Sequence, residues 1–240
     1  MPTYRRPPLV ERVVEFRCER DGGSDIIDRL MKRLSTDYPA YDDQTEFDFR
    51  IGLKGEIEKV GEGISQRNLR SADAIDLCIL KRNSIGVSRQ APYSGWEPLK
   101  ARAERAWKVW QKGMAKPKLS RIGSRSTNRI DIPFADLAER LPQDYVNVGF
   151  APLPFSAEVK AFNVQRSGQV DRYTLIMNSS TIVSPLIDHQ SLLLDIDLGL
   201  EAFALSDWAE LAVELDLMND KLNEIFEACV TDLSRELFNR

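Results

Sequence analysis

A Ser-x-Trp-x-x-Leu signature opens a long amphipathic run twice in this chain: Ser94, Trp96 and Leu99 in the first half, Ser206, Trp208 and Leu211 in the second. Behind each signature the apolar residues keep a helical period. Leu99, Ala103, Ala106, Trp107 and Trp110 make one stripe; the other runs from Trp208 through Leu222 and Phe226 to Leu237. Other elements follow at nearly the same offset, Val10 matching Ile122 as Trp96 matches Trp208. Repetition at a fixed spacing restricts the chain to architectures made from two copies of one unit.

Between the signatures the pattern is that of strands. Leu9 to Glu19 carries β-formers, and Glu46 to Leu53 alternates with Phe47, Phe49 and Ile51 on one face. Further strands are expected at 56–60, 64–69, 74–80 and 84–89, then at 120–132, 157–166, 173–181 and 192–203. Gly61, Gly63, Asn83 and Ser167-Gly168 read as turns. Short helices are expected from Asp25 to about Thr36 and from Phe134 to Leu141, with Ser24 and Ser94 as N-caps. The closing helix is expected to run unbroken to about Phe238, which at about 1.5 Å per residue is roughly 50 Å.

Strand, helix, several antiparallel strands and a long helix, twice over, predict an α+β fold. It consists of two tandem helix-grip modules, residues 1–118 and 119–240, forming a curved antiparallel sheet with the long helices on one side. The TATA-binding-protein fold has this same order.

The opening Pro7-Pro8-Leu9-Val10-Glu11-x-Val13-x-Glu15-Phe16, the middle Arg125-Ser126-x-Asn128-Arg129-Ile130-Asp131 and the closing Asn223-Glu224-x-Phe226-Glu227-x-x-x-Thr231 carry a resemblance over nearly the whole length. The chain resembles a family of sporadically distributed, functionally uncharacterised bacterial proteins. The resemblance implies no activity and no catalytic residues. Patchy occurrence of that kind implies a place beside a toxin or an antiphage defence effector.

Charge is segregated along the chain. Residues 1–130 carry 26 basic against 18 acidic side chains, and residues 131–240 carry 7 against 19, within a formal net charge of −4. From Lys100 to Arg129 there are ten basic residues and one acid, Glu104. Such a cluster suits a phosphate backbone, whose counterions it would release. Lys108, Lys112, Lys116, Lys118, Arg121, Arg125 and Arg129 are therefore the candidate nucleic-acid contacts, and Trp107 and Trp110 would stack on bases only if they left the core stripe. The plainer alternative is a solvated helix face or a surface matched to the acidic half. From Asp188 to Glu236, thirteen acids face two bases, Lys221 and Arg235. Opposite poles in one chain suit a protein–protein adaptor or self-association through those poles.

Chemistry-bearing motifs are sparse. Cys18, Cys78 and Cys229 are far apart, with no C-x-x-C pair, and His189 is the one histidine. They are expected as buried thiols rather than zinc ligands. Glu158-Val159-Lys160, with Asp131 or Asp144, is the weak E-x-K trace of a metal-dependent nuclease. Asp42, Asp43, Glu46 and Asp48 lack EF-hand spacing and read as a solvated loop. No phosphate-loop, dinucleotide, HExxH or nucleophile-elbow motif occurs. No cofactor or metal is expected, and no apolar run reaches the roughly 20 residues of a membrane span. The expectation is a cytoplasmic, non-enzymatic binding or regulatory protein, with nucleic-acid binding as the alternative.

Overall fold

The structure, a computed structural model, describes residues 4–51, 57–114, 117–149, 160–202, 205 and 207–240. Among the described residues nine strands form one antiparallel sheet. They are β1 (Leu9–Cys18), β2 (Ala40–Ile51), β3 (Ile57–Arg70), β4 (Asp76–Lys81), β5 (Ser84–Gln90), β6 (Leu119–Pro133), β7 (Asn163–Val170), β8 (Tyr173–Val183) and β9 (His189–Glu201). Their order is β2-β3-β4-β5-β1-β6-β9-β8-β7. The first strand of each half thus meets at the centre. Val14 lies opposite Ser124 and Phe16 opposite Ile122, on strands separated by a long stretch of chain.

Among the described residues five α-helices accompany the sheet: α1 (Ser24–Leu34), α2 (Trp96–Gly113), α3 (Phe134–Leu137), α4 (Trp208–Cys229) and α5 (Asp232–Asn239). Among the described residues no helix is long and apolar enough to cross a membrane. The stripe of α2 is buried as its period requires: Leu99, Ala103, Trp107 and Trp110 are inaccessible to solvent. Trp107 packs on Phe16 of β1, ring centroids 5.2 Å apart, and Phe16 also meets Trp208 at 6.3 Å. Leu211, Leu215, Met218 and Leu222 seat α4 in the same core. All three cysteines are buried thiols. Burial pushes Cys18 and Cys229 up to about 11, Cys18 against the opposing Trp110 indole N–H at 3.2 Å.

The closing helix is broken, contrary to the unbroken rod expected. Val230 turns extended (φ −100°, ψ 144°) and bridges to Val146. Asn147 N–H donates to the Cys229 carbonyl at 2.7 Å, and Thr231 Oγ1 and Ser234 Oγ donate to the Asp144 and Tyr145 carbonyls. A distant segment has captured the backbone where two β-branched residues weaken the helix. Ser24 and Ser94 do not cap either. Gly23 and Gly95, at φ 75° and 104°, hold the cap positions and offer no side-chain oxygen. Gly61, Gly63 and Ser167-Gly168 lie inside β3 and β7, not in turns, and Asp42 to Asp48 is strand rather than loop. Leu141 lies beyond α3, which stops at Leu137 and is followed by a 3-10 turn, Pro142–Tyr145.

Two charged groups are sunk on the helix side. Arg67 of β3 is clamped by Asp43 (2.5 Å) and Asp28 of α1 (2.7 Å), and hydrogen bonding to Asp43 raises its pKa. In register across β4, β5 and β1 lie Asp76, Arg89 and Arg12. Asp76, 1% exposed, accepts from Arg89 at 2.9 Å and from Arg102 of α2 at 2.5 Å. Arg12, 3% exposed, has the Asn219 side chain of α4 at 2.6 Å and no ion pair among the described residues. Burial lowers its pKa to about 10.

Candidate binding face

Helices α1, α2 and α4 pack on one side of the sheet core, so alternate residues of the central strands point to the other side. On β6 the buried Ile122, Ser124, Ser126, Asn128 and Ile130 alternate with Arg121, Gly123, Arg125, Thr127 and Arg129. An antiparallel sheet with one face packed and one solvated shows this alternation. Cross-strand register extends the open face in rows. Glu15 of β1 lies opposite Gly86 of β5 and Gly123 of β6, and Gly123 lies opposite Gly199 of β9. Three glycines and one carboxylate therefore floor a trough running across four strands.

The Arg121 side chain lies along this floor. A Cβ at either Gly123 or Gly199 would collide with its guanidinium. Arg121 reaches Glu15 at 3.4 Å and Asp197 at 3.2 Å. Glu15 also accepts from Arg17 and from the Ser84 hydroxyl, both at 3.0 Å. On the flanking row Arg125 is forked onto Asp195 through Nε (2.6 Å) and Nη2 (2.8 Å), and Thr127 and Asn178 also donate to that carboxylate. Hydrogen bonding to Asp195 raises the Arg125 pKa. A shallow cavity of about 230 Å³ opens here, walled by residues of β4, β5, β1, β6 and β9.

The layering of charge matters. The Asp195 side chain is 7% exposed and that of Arg125 is 50% exposed, and Glu15 at 20% lies beneath Arg17 at 44%. In these two pairs the carboxylate forms the lower tier and orients a guanidinium that reaches solvent, whereas Arg121, 26% exposed, lies low beside Asp197 at 30%. A fixed fork loses less entropy on meeting a carboxylate or phosphate than a free side chain would.

The seven basic residues read from the sequence do not form one patch. Arg121, Arg125 and Arg129 share the open face, and Arg129 is held by Asp131 at 2.9 Å. Lys108 and Lys112 are exposed on α2, on the other side of the sheet, where Lys108 pairs with Glu104 at 2.6 Å. Lys118 is exposed just before β6, and Lys116 lies outside the described residues. Trp107 and Trp110 are core residues.

Glu158 and Val159 also lie outside the described residues, as do the side chains of Glu46 and Asp48. Lys160 is in a loop, and Asp42 and Asp43 are engaged by Arg70 and Arg67. His189 and Lys160 help to line a larger cavity, about 700 Å³, beside Phe134 and Val183. Among the described residues no three His, Cys, Asp or Glu side chains gather as metal ligands would. Glu15 stands in the opening motif but is not marked there as a site residue, and the sequence does not single out Asp195, Asp197 or the glycine row. The polar alternation of β6 was the available signal, since a central strand that alternates this strictly must wet one face.

No protein-family model matches the chain, and no curated protein matches it.

Proposed function

We propose that the chain is a non-enzymatic binding or regulatory component of a bacterial system, acting in the cytoplasm through protein–protein contacts, with a toxin or defence effector as its partner. In this reading two helix-grip modules join at β1 and β6 into one curved sheet, and the partner lies across the helix-free face. The observation that carries it is the arrangement around the glycine trough: the Arg17 and Arg125 guanidiniums held above Glu15 and Asp195, with both signs of charge lining one cavity. Charges of both signs favour a polypeptide, which also carries both. The resemblance to sporadically distributed bacterial proteins supports the choice of partner. Self-association through opposite charge poles belongs to the same reading.

The test uses the product of a gene neighbouring the chain's own, titrated calorimetrically against the full-length protein. Replacing Arg17 with alanine and Arg125 with glutamine in one variant should weaken binding by roughly tenfold or more, as loss of anchoring arginines does. Undiminished affinity in a variant with native melting would refute the placement.

A second reading has one observation in its favour. Arg121, Arg125 and Arg129 are spaced four residues apart along one strand, about 13 Å each, and a nucleic-acid backbone could follow that line. A salt titration with DNA and RNA decides it. A steep fall of affinity with salt, reduced by Arg125→Gln, supports it, and no binding at low salt removes it.

A further inference from the structure

The helix layer carries two complementary stripes. Helices α2 and α4 run antiparallel, side by side. The α2 residues Trp96 and Lys100 meet Asp216 of α4 at 2.6 and 2.9 Å, and further along both Trp107 and Trp208 touch Phe16. The same register puts Ala101 level with Val213, Arg105 with Glu210, and Lys108 with Asp207.

Their outer faces differ in sign. On α2, Arg105 and Lys108 have side chains 58% and 57% exposed, and with Lys112, Ala101, Val109 and Glu104, which pairs with Lys108 at 2.6 Å, they line a groove of about 400 Å³. Arg105 also pairs with Asp37. On α4, Val213 and Leu217 are 61% and 47% exposed. Beside them Asp207 and Glu210 are exposed and make no ion pair among the described residues. An apolar ridge edged by acids thus lies next to a groove in which three bases outnumber the single acid, Glu104.

We propose that two copies of the chain pack helix layer against helix layer about a two-fold axis parallel to α2 and α4. This operation lays α2 of each copy over α4 of the other and keeps the level of every residue. Lys108 and Arg105 of one copy then face Asp207 and Glu210 of its partner, while Val213 enters the groove beside Ala101 and Leu217 reaches the level of Pro98. The contact is made twice and closes on itself, as an isologous dimer must. Two helices roughly 30 Å long and about 9 Å apart present on the order of 600 Å² per copy, at the lower end of what stable dimers bury. This extends the self-association part of the proposed function and uses nothing on the open sheet face, which both copies leave outward.

Sedimentation velocity on the full chain tests it. The unaltered protein should run with the mass of two chains at about 50 mM salt, and its dissociation constant should rise at least about tenfold by roughly 0.5 M. Arg105→Glu alone and Glu210→Lys alone should each run as monomers with native melting, because each sets like charges opposite one another twice. Mixing these two variants should restore a dimer, since both contacts then pair opposite charges. Three results overturn the proposal: a monomeric unaltered chain at about 100 μM, a dimer that survives both reversals, or variants that stay apart on mixing. Partner binding retained by Arg105→Glu separates this contact from the open face, so either assignment can fail alone.

Discussion

Replacing Trp107 with alanine is expected to cost about 3–5 kcal/mol, the range for a large aromatic removed from a core. Trp107 is fully buried and lies against Phe16, itself the ring that links α2 to β1 and to Trp208. Its loss opens space at the junction of both long helices with the central strand, where the sheet cannot collapse to fill it. A melting temperature lower by roughly 6–20 °C should follow for a chain of this size. The neighbouring Lys108→Ala, on the exposed side of the same helix, should stay within about 0.5 kcal/mol. Equal effects from the two would mean that the stripe does not face the sheet.

The second large effect is expected at Asp76. Its carboxylate is the acceptor for Arg89 and Arg102, and Arg12 adds a third guanidinium to the same buried row. Asp76→Asn keeps the shape and removes the countercharge. Breaking one side of a buried ion pair costs about 3–5 kcal/mol because the other side stays behind. Arg102→Gln should cost far less, since the Arg102 side chain is 36% exposed and Arg89 still holds Asp76. Chemical denaturation of both variants gives the comparison, and a mild Asp76→Asn would mean that water reaches the arginines.

The stripes of α2 and α4 were legible in the sequence because burial and period are local properties of a helix. The α4 break was not. Cys229, Leu233 and Leu237 keep an apolar stripe on either side of it, while the hydrogen bonds that cause it come from residues 144–147. Glycine misled for a related reason. It marks turns when read locally, yet Gly168 is paired within a strand, and the chain reverses after it at Asp171, whose φ is 52°. At Gly123 and Gly199 the missing Cβ makes room for Arg121, a need that only the register of β6 with β9 creates. Basic residues could be counted along the chain. Their division between α2 and the opposite sheet face, and the pairing of Arg125 with Asp195, depend on which strands become neighbours.

The pairing of β1 with β6 also bears on how the polypeptide is made. A ribosome that has released only the first hundred or so residues has produced β1 without its eventual companion. Until residue 133 emerges, one border of that strand is bare and could recruit any stray extended segment nearby. Glu11, Glu15 and Arg17 punctuate this border at close intervals. Charged side chains on an uncovered strand discourage indiscriminate association, so the nascent molecule is guarded by the residues that later shape its outer surface.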